Sequence, residues 1–457
     1  MFSEVEKLKK GEIFELEIIG INFSGEAFGE FQGEKYFVKG SIPFEKLKVR
    51  FIKIKSGKRI CKIVERIKES PISIMPVCEK FGQCGGCTYL NLNYENQIKF
   101  KEEALINLLR DENINYEKFL GTIKAPSQFE YRNKMEFSFG DEFKDGPLEL
   151  GLHKKGNPFG VVPTYDCHLV NQDFRKIMRV TVDYFRRLNV QAYKLKNHKG
   201  YLRNLILRDG KEELIICLVT SSQENIDLNN FKNEILNLDL NKKVGGIIHV
   251  VSDSLSDAID PKKIDIIYGN DYIYEELFGL KFKINLFSFF QTNTEGMKVL
   301  YGKVKENIKN DEGTILDLYC GTGTIGQILS HGSKNKVIGI EIVKDAVIMA
   351  RENAKLNNLD CEFIEGDVAE VVKNIKDKIS FIVVDPPRAG IMEKGVRNIC
   401  KFNVENIIYV SCNPKTLVED LKIFLEYGYK VKSIQGVDMF PNTYHVECVV
   451  LMSRVEK

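Results

Sequence analysis

The sequence ILDLYCGTGTIG, at residues 315–326, decides the fold of the C-terminal part of the chain. The apolar run from Ile315 to Tyr319 predicts a strand, and the glycines after it predict a turn that opens a helix. A second apolar run, Val337 to Ile340, ends in Glu341. Beyond these runs, strand and helix patterns continue to alternate, which is typical of a parallel, doubly wound sheet. We therefore predict an α/β, Rossmann-like fold for this part of the chain.

The glycine-rich turn and the acidic residues near it indicate a nucleotide-like cofactor. Gly321 and Gly323 let the backbone approach a ligand, and Glu341 can accept two hydrogen bonds from a ribose diol. This short motif alone fits an NAD-dependent oxidoreductase equally well. Asp317 favours S-adenosylmethionine, because a carboxylate inside the first strand can meet a cationic amino-acid end but would repel a pyrophosphate.

Further acidic residues end the next two strands. The third strand ends at Asp367, and the fourth runs into the turn Asp385-Pro386-Pro387-Arg388. An acidic-Pro-Pro turn at this place is typical of methyltransferases that modify bases. Enzymes that methylate exocyclic amines carry an aromatic residue at the fourth position, where it stacks on the base. Because Arg388 stands there instead, an N-methyltransferase is disfavoured.

A cysteine at the end of a strand indicates covalent chemistry. The strand Ile407 to Val410 delivers Cys412 to the carboxyl edge of the sheet, where ligands of open α/β sheets bind. Carbon 5 of uracil is a weak nucleophile, but a thiolate that adds to carbon 6 makes an enolate that can take a methyl group. A base must then remove the proton from carbon 5. Glu447, a carboxylate in an apolar strand, is the predicted base, and His445 is the alternative.

The N-terminal part has a different pattern. Residues 12–68 read as short strands separated by glycines, which predicts a small OB-like β-barrel, a fold that often binds nucleic acid. From Pro43 to Glu69, ten lysines and arginines stand against three acidic residues. Lys48 and Arg50 alternate with apolar residues and so share one strand face, and the alternation then shifts by one residue, as a bulge would cause. This basic face favours contact with RNA.

Length and composition limit the class of protein. A chain of 457 residues with 43% hydrophobic residues predicts two to four domains with sizeable cores. The charged segment Met1 to Gly11 and the absence of a long apolar run lead us to expect no signal peptide, no membrane contact and a cytoplasmic location. The net charge of +2 does not by itself indicate a nucleic-acid-binding protein.

Eleven cysteines in a reducing compartment require an explanation other than disulfides. Cys78, Cys84 and Cys87 lie in one glycine-rich loop, which predicts a metal site with a fourth ligand from elsewhere. The spacing fits zinc and an iron–sulfur cluster equally well. The residues alone leave the fourth ligand open among Cys61, Cys217 and, for zinc, His168.

Together, these motifs resemble those of the RNA uracil-5-methyltransferases that carry an N-terminal TRAM domain and an iron–sulfur cluster. The matching segments are Phe289 to Asn293, Asp317 to Gly323, Asp385 to Arg388, Ser411 to Pro414, and Phe440 to Glu447. The basic barrel extends the resemblance to the N-terminus, and His198 to Arg203 extends it through the middle.

The resemblance implies roles for individual residues. It makes Cys412 the nucleophile and Glu447 the proton acceptor, and it implies a [4Fe–4S] cluster with Cys167 as the fourth ligand. It also implies that the helix from about Tyr94 to Arg110 packs on the catalytic domain. The residues that it assigns to the S-adenosylmethionine site are Gln291, Tyr319, Glu341 and Asp385.

We predict three domains from these patterns: the TRAM or OB-like barrel at 1–68, a central α+β domain with the cysteines at 69–288, and the methyltransferase domain at 289–457. The barrel and the cluster favour 23S ribosomal RNA over transfer RNA as substrate, and we expect a monomer with no obligate protein partner. A non-catalytic RNA-binding protein is the alternative from another class, disfavoured because nucleophile, base and cofactor acids occur together. The basic residues expected to contact RNA are Lys48, Arg50, Arg132, Lys134, Arg203 and Arg208.

Overall fold

A computed structural model of the chain describes residues 8–308 and 313–454. Most of the N-terminal segment used to predict the absence of a signal peptide lies outside these residues. Within them, no helix is long and apolar enough to cross a membrane. The residues of these two ranges form three large sheets and one hairpin, which confirms a multidomain α/β architecture.

The first sheet is built from the N-terminal strands in the order β1-β5-β6-β4-β3-β2. These strands are β1 (Ile13–Glu17), β2 (Gly20–Ile21), β3 (Ala27–Phe31), β4 (Glu34–Val38), β5 (Lys46–Lys55) and β6 (Lys58–Lys68). Alternating residues of β1 and β5 are buried, as the period of a half-buried strand requires. Their apolar side chains form one core around Leu16, Val38 and Leu47.

The basic face of β5 has the predicted alternation. Lys48 and Arg50 are exposed between buried apolar neighbours, and the register with β6 shifts between Phe51 and Lys53. The neighbouring strand β1 places Glu15 opposite Lys48, which partly neutralises this face. The sequence pattern of β5 alone could not reveal this acidic neighbour.

The second sheet has seven strands in the order β10-β9-β8-β11-β12-β13-β14. Two helices, α2 (Gln172–Arg187) and α3 (Asn229–Leu236), bury Phe174, Phe185 and Phe231 in the same core. A separate hairpin of β15 (Tyr272–Leu277) and β16 (Leu280–Asn285) follows. The strands of the sheet are β8 (Lys134–Gly140), β9 (Glu149–Lys154), β10 (Asn157–Pro163), β11 (Leu202–Asp209), β12 (Glu213–Thr220), β13 (Lys243–Val251) and β14 (Lys263–Gly269).

The third sheet has eight strands in the order β19-β18-β17-β20-β21-β23-β22-β7. The first five in this order run parallel, whereas β23 is antiparallel to both of its neighbours. The strands are β7 (Tyr116–Ile123), β17 (Thr314–Leu318), β18 (Lys336–Glu341), β19 (Cys361–Glu365), β20 (Ile379–Val384), β21 (Asn406–Ser411), β22 (Tyr429–Val437) and β23 (Glu447–Arg454).

Helices cover both faces of this sheet, as expected for a doubly wound α/β fold. They are α1 (Tyr94–Asp111), α4 (Thr294–Glu306), α5 (Thr324–Ser330), α6 (Lys344–Leu356), α7 (Val368–Val371) with a 3-10 turn at Val372–Asn374, α8 (Met392–Cys400) and α9 (Pro414–Glu426). Leu105 and Leu109 of α1 share a core with Phe424 of α9. The helix α1 therefore packs on the C-terminal sheet, together with β7.

Candidate active site

A large cavity opens at the carboxyl ends of the parallel strands, with a volume of about 1150 Å³. In open α/β sheets this edge is where ligands bind. Seven of the predicted site residues line it, namely Gln291, Tyr319, Gly321, Glu341, Asp385, Cys412 and Glu447.

Cys412 and Glu447 meet at this cavity because of the strand register. Ser411 ends β21 and pairs with Cys448 of the antiparallel strand β23. Cys412 follows Ser411, and Glu447 precedes Cys448. Because the strands are antiparallel, Cys412 and Glu447 are the next facing positions after this pair. Glu447 is only 3% exposed, whereas Cys412 is partly exposed to the cavity.

The helix after Cys412 fixes its position. Asn413 is the N-cap of α9 and Pro414 occupies the first turn, a combination that suits a helix start. The Asn413 amide also donates to the backbone carbonyl of Arg388, 2.9 Å away. The Asp385–Arg388 turn and the Cys412 segment are thereby tied together.

The cavity collects acidic groups away from water. Burial raises the pKa of Glu447 to about 8 and that of Asp385 to about 7, and Asp385 adds to the shift of Glu447. Burial, with Glu447 and Asp385, raises the pKa of the Cys412 thiol to about 11. Arg388 opposes the shifts of both Cys412 and Glu447. A cavity lined by such groups favours a cationic ligand, because a positive charge would stabilise the ionised carboxylates.

Arg388 is held beside His445. One guanidinium nitrogen lies 3.2 Å from His445 Nδ1. Burial and the field of Arg388 lower the pKa of His445 to about 4, so this imidazole is neutral at physiological pH. A neutral ring whose Nδ1 faces Arg388 accepts a hydrogen bond from it, which favours an orienting role over that of the main base.

The segment before Glu447, residues 438–446, is anchored by α1. Asp438 is fully buried and accepts from Lys101 Nζ at 2.6 Å and from the Tyr94 hydroxyl at 2.9 Å. Asn442 receives a hydrogen bond from the Gln97 side chain and its own N–H donates back to the Gln97 amide oxygen. The helix α1 thus determines where the chain enters β23.

The glycine turn has the geometry that a bound nucleoside requires. Tyr319 adopts φ +63°, an uncommon value for a residue with a side chain, and its ring lines the cavity. Gly323 adopts φ +72°, and a Cβ there would lie 2.5 Å from the Phe363 ring. Glu341 accepts from the N–H of Gly321 at 3.0 Å and from that of Val343 at 2.9 Å. The carboxylate therefore sits at the mouth of the turn.

Three predicted cofactor residues lie off the cavity wall. Asp317 is buried beneath the turn, where one oxygen accepts from the Gly326 N–H at 2.8 Å and the other has no hydrogen-bond partner. Burial raises its pKa to about 7. Gly323 shapes the turn without lining the cavity, and Asp367 is exposed near the Tyr319 ring. Asp317 therefore supports the turn and adds negative potential rather than lining the cavity.

Tyr301 is a cavity residue that the sequence did not reveal. It lies on α4, is 4% exposed, and lies close to the side chain of Gln291. Burial, followed by the charge of Asp385, raises its pKa well above the usual value. The spacing of α4 predicts only that this position faces the core, because the contact with Gln291 depends on the tertiary fold.

Two arginines expected on the RNA surface are buried instead. Arg203 is 5% exposed and donates to the carbonyls of Ser254 and Ser256 at 2.8 and 2.7 Å. Arg208 is 1% exposed and donates to three carbonyls of the segment 285–288, which carries part of the cavity wall. The loops that fold over them accept most of the hydrogen bonds that the two guanidinium groups donate, so neither arginine lies on an exposed face of the protein.

The other two central basic residues are partly buried. Arg132 lies over the Phe440 ring, 5.6 Å from its centroid, beside the cavity wall. Burial, helped by Arg208, lowers the pKa of Lys134 to about 8. Neither residue presents a fully exposed cation.

The four predicted cluster cysteines lie in one neighbourhood. Burial raises the pKa of Cys87 to about 12 and that of Cys167 to about 11, and neighbouring cysteines add to both shifts. Among the described residues, however, no three ligating side chains are arranged to hold a metal ion. Four cysteine thiols are the donors that an iron–sulfur cluster requires. The positions of the sulfur atoms in this structure, however, do not match those of cluster ligands.

Comparison with known proteins identifies relatives along almost the whole chain. Residues 94–455 match the family model described as tRNA (uracil-5-)-methyltransferase. An uncharacterized RNA methyltransferase of Clostridium tetani is 45% identical, and the match covers 98% of this chain and 99% of that protein. A second, from Clostridium acetobutylicum, is 44% identical with the same coverage.

A solved structure has the same fold. The chain is similar to the crystal structure of a Pyrococcus abyssi tRNA (uracil-54, C5)-methyltransferase in complex with S-adenosyl-L-homocysteine. The TM-score is 0.76 and the identity 28%, and the match covers 96% of this chain and 100% of that chain.

Proposed function

The chain belongs to the tRNA (uracil-5-)-methyltransferase family of S-adenosylmethionine-dependent RNA methyltransferases, and from this premise we propose that Cys412 and Glu447 methylate carbon 5 of a uridine in RNA. The observation that carries the proposal is their facing position at the wall of one cavity. The nucleophile and the base of such a reaction must both reach one pyrimidine ring.

The reaction balances with these two groups. The Cys412 thiolate adds to carbon 6 of the uracil, and the electron pair of the 5,6 double bond moves into an enolate. Carbon 5 then attacks the methyl group of the sulfonium, and S-adenosylhomocysteine leaves. Glu447 removes the proton from carbon 5, the double bond forms again, and the Cys412 sulfur departs as the thiolate.

The charges of the cavity support S-adenosylmethionine as the methyl donor. Burial raises the pKa values of Asp385, Glu447 and the underlying Asp317, and the charge of Arg388 offsets only part of the shift of Glu447. A sulfonium and an ammonium group would add positive charge that stabilises the ionised carboxylates. Binding of the cofactor would thus ionise Glu447 and prepare it to act as the base. Gln291 and Tyr319 complete the cofactor site, and Glu341 would bind the ribose once its oxygens turn from the backbone N–H groups.

The N-terminal sheet is proposed to contact the RNA as a closed OB-like barrel. Closure is supported by the hydrogen bond from the Ile19 N–H to the Phe28 carbonyl at 2.9 Å, which joins the chain after β1 to β3. The exposed cations Lys48 and Arg50 suit phosphate oxygens. The target uridine must leave its stack to reach Cys412, so contacts to the backbone have to hold the surrounding RNA.

We propose 23S ribosomal RNA as the substrate, on the strength of the RNA-binding barrel and the cysteine cluster. Transfer RNA is the second candidate, because the similar Pyrococcus abyssi enzyme acts on transfer RNA. The four cysteines Cys78, Cys84, Cys87 and Cys167 are proposed to hold a [4Fe–4S] cluster. When bound, it would cross-link two distant segments of the central domain. No step of the methyl transfer depends on it.

The experiment uses protein purified without oxygen. It is incubated with labelled S-adenosylmethionine and, separately, with unmodified 23S ribosomal RNA and transfer RNA, and 5-methyluridine is mapped. Label in ribosomal RNA that disappears in Cys412→Ala but persists in Cys361→Ala supports the full proposal. Label only in transfer RNA would show that transfer RNA, and not 23S ribosomal RNA, is the substrate. If neither RNA is labelled although the cofactor binds, the assignment of uridine carbon 5 as the methylated atom is contradicted.

A further inference from the structure

The turn Asn22–Glu26, between β2 and β3 of the N-terminal sheet, reaches the C-terminal sheet beside the active site. It is internally well braced. The Gly25 N–H donates to the Asn22 carbonyl at 2.9 Å, and the Asn22 side-chain oxygen accepts from the N–H groups of Ser24 and Glu26 at 2.8 and 3.0 Å. These bonds give the turn one conformation.

Gly25 permits the close approach of this turn to Tyr444. Its φ is +71°, and a Cβ added there would lie 2.8 Å from Tyr444 Cδ1 and 2.9 Å from Tyr444 Cβ. The Tyr444 ring packs against the N-terminal core, and its centroid lies 4.2 Å from that of His445. A side chain at position 25 would push the tyrosine towards the cavity wall.

Ser24 makes the second contact of the turn. Its hydroxyl oxygen accepts a hydrogen bond from Lys415 Nζ at 2.6 Å. Lys415 follows Cys412 by three residues in the chain, and Tyr444 precedes Glu447 by three. One turn of the N-terminal sheet therefore touches both segments that carry the proposed reacting groups.

We infer that the turn Asn22–Glu26 is a positioning element of the active site, in which Gly25 sets Tyr444 against His445 while Ser24 holds Lys415. This inference rests on the proposed function and gives the N-terminal sheet a role beyond contact with RNA. Few contacts connect Tyr444 to the proposed reacting groups. His445, which packs against Tyr444, contacts Arg388, and the charge of Arg388 acts on both Cys412 and Glu447. Displacing Tyr444 changes the field at the thiol without touching the cofactor residues.

The test compares Gly25→Ala with Gly33→Ala. Gly33 also has a positive φ, +77°, and lies in the same sheet, but nothing lies within 4 Å of a Cβ placed there. Both variants carry similar backbone strain, and only one meets Tyr444. We expect Gly25→Ala to lower kcat by about tenfold to a hundredfold with little change in KM for S-adenosylmethionine, and Gly33→Ala to keep kcat within about twofold.

A second readout does not need methylation. The rate at which iodoacetamide alkylates Cys412 is followed by peptide mass spectrometry from about pH 7 to about pH 10. We expect the pH profile of the alkylation rate to shift to higher pH by about one unit in Gly25→Ala. The profile of Gly33→Ala should match that of the wild type. Tyr444→Ala should reproduce this shift, and Tyr444→Phe should not. If circular dichroism shows that Gly25→Ala does not fold, these two variants decide whether the turn has the positioning role.

The outcomes separate the two claims. If Gly25→Ala and Gly33→Ala give the same kcat and the same alkylation profile, the positioning role is wrong while the proposed function stands. If Tyr444→Ala leaves the profile of Cys412 unchanged, the role is likewise wrong. A wild type that methylates no RNA contradicts the proposed function, and the alkylation profiles still decide the positioning role.

Discussion

Cys412 and Glu447 face each other at the ends of two antiparallel strands, because Ser411 at the end of β21 pairs with Cys448 in β23. Facing residues of such strands have side chains about 5 Å apart at Cβ. In the proposed reaction, this separation would let both groups reach one pyrimidine ring. The placement depends on the order β21-β23-β22, in which the last strand returns antiparallel and brings its first residue to the carboxyl edge.

The affinity for S-adenosylmethionine should rise with pH more steeply than that for S-adenosylhomocysteine. The pKa values of Asp385 and Glu447 are raised to about 7 and about 8, so both carboxyls lose protons between about pH 6 and about pH 9. Ionised carboxylates stabilise the sulfonium, which the neutral thioether of the product lacks. Calorimetry should find the ratio of the two affinities increasing by about tenfold over this range. A ratio independent of pH would contradict the electrostatic account.

The methylation rate under single-turnover conditions should rise over the same pH range. In the proposed mechanism, deprotonated Glu447 and the Cys412 thiolate are the active forms, and both groups have raised pKa values. His445 has its pKa lowered to about 4 and does not titrate there. The variant His445→Gln is therefore expected to be slower but to keep the rising limb of the profile. Loss of that limb in His445→Gln would assign the titration to the histidine.

The buried pair of Lys101 and Asp438 should be a main determinant of stability. Both side chains are fully buried, with Nζ and the carboxylate oxygen 2.6 Å apart. Replacing Lys101 with Met leaves the buried carboxylate without its cationic partner and should lower the free energy of unfolding by about 3–5 kcal/mol. Lys99→Met, two residues away on the exposed face of α1, is the control and should change little. Denaturant titration of both variants makes the comparison, and equal midpoints would show that the pair contributes nothing.

The metal content of the anaerobic protein tests the cysteine cluster. We expect about four irons and about four sulfides per chain, as a four-thiolate [4Fe–4S] cluster requires, and we expect both to be lost in Cys167→Ser. Cys61→Ser, which removes a buried thiol of the N-terminal sheet, should retain them. If the anaerobic protein instead contains zinc and no iron, the proposed cluster is wrong and the four cysteines form a structural zinc site.

Local sequence patterns predicted the parts of the site that belong to strand ends. Cys412 and Asp385 each come directly after a strand with an apolar run, so their place at the carboxyl edge of the sheet follows from the strand alone. The alternation of β5 likewise predicted the exposed face with Lys48. Such features depend on residues that are close in sequence.

Contacts between distant segments were beyond the reach of these patterns. Arg203 looks like a surface cation in the sequence, and only the loop at Ser254 and Ser256 that folds over it makes it a buried donor. The contact between Gly25 and Tyr444 joins the two ends of the chain and leaves no periodic signal. The proximity of Tyr301 to Gln291 depends in the same way on the packing of α4.

Trapping of the covalent intermediate tests the central claim most directly. The variant Glu447→Gln keeps the size of the side chain but cannot accept the proton from carbon 5, so elimination should stall after methyl transfer. Incubated with S-adenosylmethionine and the substrate RNA, it should accumulate a denaturant-stable adduct, and mass spectrometry should find the methylated nucleotide on the peptide that contains Cys412. The double variant with Cys412→Ala should form none. Wild-type turnover by Glu447→Gln, or an adduct on another residue, would contradict the assignment of Cys412 and Glu447.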